Sequence, residues 1–430
     1  MSAIVCPRNF LESLFQAAVR AADPAHCLPP YLPTRPLGRT IVVGAGKAAA
    51  SMARAVEDNW DGPISGLVVT RYDHGVDCRQ IEVVEAAHPV PDERGLDAAR
   101  RIKAAVQGLT KDDMVLCLIS GGGSALLTMP GVGRSTNGVI SLTLDDKQEI
   151  NRALLRSGAP IDEMNTVRKH LSAIKGGRLA LDAFPAAVVT LAISDVPGDD
   201  PTVIASGPTV ADRTTVDDAI AVLDKYDIAV PDKVRAFFET SEAETAKAGD
   251  ARLANCAMTI VARPQASLEA AAALCRDNGV EPVILGDAIE GEARHVAHEH
   301  AARATALWHE GVDRPVALIS GGETTVTVAG SGRGGRNAEY LLGMAIALDG
   351  AAGIHAVACD TDGIDGSEDN AGAYLAPDSL ALARSAGRDP QAMLDDNDGY
   401  SFFQSIDGLI KTGPTLTNVN DFRAVLVMPR

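Results

Sequence analysis

Residues 41–58 read IVVGAGKAAASMARAVED. A short β-branched run, a Gly-Ala-Gly turn and an Ala-rich amphipathic stretch, in that order, predict strand, tight turn and helix. This is the unit from which a parallel, doubly wound α/β sheet is built. The backbone N–H groups at such a turn face the space where an anion binds. Gly44, Gly46 and Ala49 meet the loose G-x-G-x-x-[GA] dinucleotide pattern, whereas the P-loop pattern fails because no Ser or Thr follows Lys47. Lys47 is the informative residue: a cation in the first helical turn opposes the helix dipole unless an anion shares the space.

The alternation continues on both sides. Strands are expected at 40–43, 67–70, 114–119 and 188–193, with helices at 48–58 and 96–107. The polar, Ala/Glu-rich stretch 241–251 has no strand character and is taken as the boundary between a domain of residues 1–245 and one of 246–430. A second alternation follows, with strands at 257–261, 282–285, 316–319, 325–328 and 355–359 and helices at 265–277, 292–309 and 337–348. Two α/β domains with a cleft between them is the expected architecture.

Composition narrows the function. The 430 residues carry a net charge of −18, which argues against a nucleic-acid or anionic-membrane partner. The longest apolar runs, such as 186–193, are too short to span a bilayer. The opening stretch, with Pro7, Arg8 and Glu12, does not read as a secretory signal, so a cytoplasmic location is expected. Seven scattered cysteines without a CxxC pair imply neither a disulfide framework nor a thiolate zinc site. A homodimer is left open.

Against an acidic background, basic segments stand out. Residues 165–178, NTVRKHLSAIKGGR, hold Arg168, Lys169, His170, Lys175 and Arg178 without an acid, which suits an anionic substrate or phosphate tail. Arg168 and Lys175, seven apart, would share a helical face; a solvated face is the alternative. The string LISGG occurs at 118–122 and again at 318–322, each time ending an apolar run. The backbone amides of Ser120, Gly121, Gly122, Gly123 and Ser124, and of Gly321 and Gly322, are therefore candidate anion donors. Asp195 follows a strand, the position of a Mg²⁺ ligand or general base in α/β folds. Arg333 and Arg336 lie in a glycine-rich loop and suit the charge of a transferring phosphoryl group. Residues 359–366, CDTDGIDG, are not a calcium loop because Ile364 sits where an oxygen ligand belongs, so Asp362 is read as positioning magnesium or phosphate. The histidines of HVAHEH (295–300) lack the HExxH order and read as a surface cluster.

Taken together, GAGKAA (44–49), HPVPDE (88–93), SGGGSALL (120–127), VRKHLSAIKGGRLA (167–180), SDVPGDDPTVIASGPT (194–209), SGGETTVTV (320–328), GRGGRNAEY (332–340), TDGIDG (361–366) and GPTLTNVND (413–421) resemble the glycerate 2-kinase family over nearly the whole chain. The resemblance implies a Rossmann-like N-terminal domain with a doubly wound parallel sheet and a C-terminal α/β MOFRL domain with a mixed sheet. The active site would lie in the interdomain cleft. It further implies ATP- and Mg²⁺-dependent phosphorylation of D-glycerate to 2-phospho-D-glycerate and ADP.

Under the same resemblance, Lys47 and Arg336 map onto the catalytic pair, and the reading of the residues adds Asp195 as a third catalytic candidate. Gly44, Gly46, Ser120–Ser124, Gly321 and Gly322 would surround nucleotide or phosphate. His88, Arg168, Lys175, Glu323 and Arg333 would bind substrate, and Asp195 and Asp362 metal. One residue departs from the family pattern: Asp360 stands where a small residue is expected before TDG. Relatives are also called hydroxypyruvate reductases, so an NAD(P)H-dependent reductase is the competing reading, for which Arg71 or Asp73 would meet the ribose. A non-catalytic sugar-acid or nucleotide sensor is the third. Which domain holds ATP is left open.

Overall fold

The computed structural model describes residues 4–136 and 138–430. They form two compact units: Cys27–Val261, and Ala262–Arg430 together with the described residues up to His26.

The first unit is built on β1 (Thr40–Ala45), β2 (Ser65–Arg71), β3 (Ile81–Ala86), β4 (Met114–Ile119), β7 (Ala187–Ile193) and β8 (Cys256–Ala262), in the order β3-β2-β1-β4-β7-β8. β5 (Val132–Ser135) and β6 (Gly138–Ser141) pair separately as an antiparallel ribbon. Strands β3 to β7 of the main sheet pair in parallel. β1 and β4 are buried at every position, as strands covered on both faces must be. Val43, Ala45, Val115, Cys117 and Ile119 pack against Ala98, Ala99 and Ile102 of helix Glu93–Ala105. The chain order reverses between β1 and β4, the switch point where open α/β sheets bind ligands.

Beside this sheet lies a helical cluster that sequence reasoning did not foresee. Helices Leu144–Ser157, Ile161–His170, Val216–Lys225 and Asp232–Phe238 share a core of Ile150, Leu154, Val167, Leu223 and Phe237.

The second unit contains β9 (Glu281–Gly286), β11 (Val316–Ser320), β13 (Ile354–Asp360), β14 (Gly372–Leu375), β15 (Leu409–Ile410) and β16 (Asp421–Val427), in the order β15-β14-β13-β16-β11-β9. This sheet is mixed, because β16 runs antiparallel to both β13 and β11 while β9 and β11 are parallel. The strand expected at 325–328 is instead the two-residue β12 (Thr324–Thr325), paired with β10 (Gly291–Glu292), and Val328 is exposed. The histidine stretch is not wholly on the surface: His300 is buried, with Nδ1 2.7 Å from the Tyr340 hydroxyl.

The expected boundary at 245/246 differs from the units observed. The polar stretch is docked onto the first unit: the Arg178 guanidinium donates to the carbonyls of Glu242, Ala243 and Glu244 at 3.0, 2.8 and 3.0 Å. The Ala246 amide donates to Gly176 O at 2.9 Å. The chain then adds β8 to the first sheet before leaving it. At the other end, helix Pro7–Ala21 belongs to the second unit, where Leu11, Leu14 and Phe15 pack with Leu268 and Phe422.

Arg178 also donates to Lys169 O and Lys175 O, so five backbone carbonyls depend on one buried guanidinium. The substitution Arg178→Met is therefore expected to destabilise the chain by about 2–4 kcal/mol through unsatisfied carbonyls. Urea unfolding checks it, and an unchanged midpoint would contradict the stitching role.

Candidate active site

At the switch point the loops after β1 and β4 interlock. The Ser120 amide donates to Ala45 O at 3.1 Å and the Lys47 amide to Gly121 O at 2.8 Å. The buried Ser120 hydroxyl accepts from the Ala48 amide at 2.9 Å. Helix Ala49–Asn59 thus begins after Lys47, not before it, and Ala48 offers no side-chain cap of its own. Gly44 is the fifth residue of β1. Gly46, at φ 138°, lies against Ser120; a Cβ there would fall 2.2 Å from the Ser120 hydroxyl oxygen. Gly123, whose amide donates to Ser120 O at 3.1 Å, starts the short helix Gly123–Leu126.

This interlock places Lys47 beside Gly122 and His88. Gly122 adopts φ 78°, and a Cβ on it would come 2.9 Å from His88 Nε2 and 3.4 Å from Lys47 Cγ. His88 and Lys47 are both half-buried. Asp195, also half-buried, follows β7, the neighbour of β4.

The basic run 165–178 divides by role. Lys169 is paired with Asp212 at 2.6 Å, in the interior. His170 Nδ1 lies 2.8 Å from Thr166 O, and Arg178 holds backbone. Arg168 and Lys175 alone of the five line a cavity of about 390 Å³. They do not meet there through helical spacing, because the helix stops at His170 and Lys175 lies in the turns beyond it.

Lys175 Nζ donates to Ser124 O and to Ser124 Oγ, the latter at 2.7 Å. Ser124 Oγ lies 2.8 Å from Ser206 Oγ. Ala205 and Ser206, with φ of 50° and 61°, form a left-handed segment that ordinary residues adopt at a cost, a kind of strain concentrated at functional sites.

Lys147 on helix Leu144–Ser157 also lines the cavity, as do His88, Gly122 and Ser124. Burial first, then the charges of Arg178 and Arg168, push the Lys147 ammonium down to about 7. Burial, then Lys147 and Arg168, push Lys175 well below its ordinary value, and burial lowers Arg168. Sequence reasoning missed Lys147, Asn151 and Ser206. The signal for the first two was present: Lys147, Ile150, Asn151 and Leu154 fall at i, i+3, i+4 and i+7, which puts a lysine and an amide on an apolar helix face.

In the second unit the expected mobile arginines are tied down. Arg336 opens helix Arg336–Leu348 and is held by Asp421 at 2.8 Å, Asp360 at 2.8 Å and Glu323 at 2.5 Å. Burial opposes its charge, yet Asp421, Asp360 and Glu323 together raise its pKa above the ordinary arginine value. Asp360, the residue that departs from the family pattern, is thus one of the three anchors of Arg336. Asp421 also accepts from Arg423 at 2.6 Å and from Asn337 Nδ2 at 2.8 Å. Asp365 accepts the Asn337 and Ala338 amides at 2.9 Å each, capping a helix whose N-cap is glycine, and burial pushes its carboxyl up to about 6.

Arg333 is paired with Glu368 and lies over the Tyr400 ring, 4.2 Å from its centroid. The second Ser-Gly-Gly turn is used structurally. The Gly321 amide donates to Gly286 O at 2.9 Å, its carbonyl accepts from Arg423 at 3.1 Å, and Gly322 O accepts from the Asp421 amide at 3.1 Å. Asp362 is buried, and its carboxylate accepts from the Ile364 amide at 2.9 Å. Among the described residues no group of three or more His, Cys, Asp or Glu could hold a metal ion, and no helix is long and apolar enough to cross a membrane.

Comparison with known proteins fits this layout. Residues 10–239 match a family model described as a domain of unknown function (DUF4147), and residues 316–421 match the MOFRL family. The D-glycerate 2-kinase of Thermotoga maritima is 39% identical over 420 residues, covering 96% of this chain and 97% of that one. A crystal structure of glycerate kinase from Thermotoga maritima superposes with a TM-score of 0.87 at 38% identity, covering 98% of this chain and 99% of that one. The chain belongs to the glycerate kinase family. Within the family the names diverge. A protein of Agrobacterium vitis, 54% identical over 428 residues and covering 98% of this chain and 95% of that one, carries the provisional name hydroxypyruvate reductase.

Because Arg336 neutralises three carboxylates, two of them buried, it has a structural role in this glycerate kinase fold. Arg336→Ala is expected to lower the stability of the second unit by about 3–5 kcal/mol, as removal of one partner from a buried ionic cluster does. Chemical unfolding measures it; a variant as stable as the parent would show that the cluster does not need its arginine.

Proposed function

We propose that the protein transfers the γ-phosphoryl group of ATP to the 2-hydroxyl of D-glycerate, giving 2-phospho-D-glycerate and ADP. The observation that carries this reading is the placement of cations on the β4 side of the switch point. Lys47 flanks Gly122, while Lys147, Arg168 and Lys175 line the cavity that Gly122 and Ser124 also border. As the glycerate 2-oxygen bonds to the γ-phosphorus, the bond from that phosphorus to the ADP oxygen breaks and the hydroxyl proton passes to solvent water. Negative charge then spreads over the phosphoryl oxygens, where fixed cations are most effective.

We assign that neutralisation to Lys47 and Arg336. Glu323, Asp360 and Asp421 fix the direction of the Arg336 guanidinium. His88, beside Lys47 at Gly122, is assigned to the glycerate carboxylate. A magnesium ion carried in with the nucleotide would neutralise phosphate charge, and magnesium sites commonly need only one or two protein carboxylates. Asp195 fits that demand at the end of its strand, whereas the Asp362 carboxylate closes its own turn.

The reductase reading draws support from the name of the Agrobacterium vitis relative and from the G-x-G-x-x-A turn. Against it, Lys175 is bonded to Ser124 in the turn after β4, whereas a dinucleotide ribose is recognised at the end of the second strand.

The two readings separate in one preparation. Incubation with D-glycerate, ATP and Mg²⁺ is expected to release ADP, and incubation with hydroxypyruvate is expected to leave NADH and NADPH unoxidised. Lys47→Ala should lower kcat for ADP release by about a hundredfold or more, as loss of a transition-state cation does. Full turnover by that variant would remove Lys47 from the mechanism, and reduction of hydroxypyruvate without ADP release would replace the kinase reading.

A further inference from the structure

The cavity beside Gly122 is poorly matched to glycerate alone. Its walls include Val90, Leu144, Ile150, Leu154 and Leu155. A three-carbon hydroxy acid has almost no apolar surface to bury against them and would leave most of about 390 Å³ to water. Apolar walls with a few convergent polar groups, in a volume of about 300–1,000 Å³, are the features of sites for larger organic ligands and cofactors.

The polar groups in this cavity are unusual in kind. Lys147, Arg168 and Lys175 form no ion pair with a carboxylate among the described residues. Arg168 donates to the neutral amide oxygens of Asn151 at 2.7 Å and Asn165 at 3.3 Å, and Lys175 to the carbonyl and hydroxyl of Ser124. Three basic groups clustered in one cavity hold their charges together only when an anion joins them. A single carboxylate does not balance three positive groups, whereas a polyphosphate chain does.

The order of the groups gives a direction. Lys175 is bonded to Ser124, Ser124 is two residues from Gly122, and Gly122 abuts Lys47. We infer that this cavity is the nucleotide site: the base of a nucleoside triphosphate lies among Val90, Leu154 and Leu155, and its phosphate chain runs past Arg168, Lys147 and Lys175 toward Gly122 and Lys47. The inference rests on the kinase reading for its ligand class. It moves Arg168 and Lys175 from glycerate recognition to nucleotide recognition and places ATP in the first unit.

The test is a two-by-two binding experiment in the presence of Mg²⁺, using the full chain by calorimetry. The ligands are adenylyl imidodiphosphate and inorganic triphosphate; the variants are Arg168→Gln and Leu155→Asp, the latter at an exposed position of the cavity wall. The parent is expected to bind the nucleotide more tightly than triphosphate, because only the nucleotide buries an apolar base. Arg168→Gln should weaken both ligands by about tenfold or more, as loss of one charge-assisted contact does, and so preserve their ratio. Leu155→Asp should collapse the ratio.

Unchanged affinities in Arg168→Gln, or an unchanged ratio in Leu155→Asp, would overturn the assignment. So would a raised KM for glycerate in Arg168→Gln with the KM for ATP unaltered. Failure of the kinase reading looks different: the binding pattern stands as described while the parent releases no ADP from ATP and glycerate. Thermal melting of both variants confirms that they are folded; Lys147→Gln, which should act as Arg168→Gln does, replaces the first if it is not, and Val90→Asp, which should act as Leu155→Asp does, replaces the second.

Discussion

Everything proposed for the first unit depends on how the turn after β1 meets the turn after β4. Parallel pairing brings Ala45 level with Ile119, so the two chains leave the sheet side by side. Three hydrogen bonds then lock them: Ser120 N to Ala45 O, Lys47 N to Gly121 O, and Ala48 N to Ser120 Oγ. Glycine at 46 gives the Ser120 hydroxyl room to reach the Ala48 amide. A flexible lysine stem thereby starts from a fixed point beside Gly122 and His88. The proposed role of Lys47 rests on that lock, because it sets where the lysine stem starts.

The two LISGG copies show how far identical local sequence can diverge in use. Each ends a buried strand. In the first unit the neighbouring strand is parallel and ends at the same level, so the turn faces a second turn. In the second unit the neighbour β16 is antiparallel and begins there, delivering Asp421 and Arg423 into the same space. The Gly321 carbonyl is bound by Arg423 and the Gly322 carbonyl by the Asp421 amide, and an ionic cluster forms around Arg336 in place of an open turn. Strand direction, rather than the five residues themselves, decides what the turn does.

That contrast explains which parts could be read from the amino-acid order. The strand-turn-helix at 41–58, the alternation of both sheets and the motifs of the glycerate kinase family are local or family-wide signals, and the fold class followed from them. Strand β16 escapes a reading of the sequence because a fully buried, seven-residue central strand offers no alternation to recognise and has no crossover helix before it. The boundary was misplaced because composition reports polarity, not partners: residues 242–246 are polar, yet their carbonyls and amides are satisfied by Arg178 and Gly176. Arg168 and Lys175 were paired on helical spacing, but a turn joins them. Lys147 was overlooked because one lysine in an amphipathic helix usually faces water, and only the packing of helices Leu144–Ser157 and Ile161–His170 shows that it lines a cavity.

On the proposed function, the Ser120 hydroxyl, by holding the Ala48 amide, positions Lys47 for phosphoryl transfer. The most direct measurement is the kcat for ADP release from ATP and D-glycerate by Ser120→Ala, compared with the parent at saturating substrates. A fall of about tenfold or more is expected, the scale of losing a positioning contact, with melting temperature changed by only a few degrees. A folded Ser120→Ala variant with the parent's kcat would contradict it, because Lys47 would then act without the lock on which the rest of the site is built.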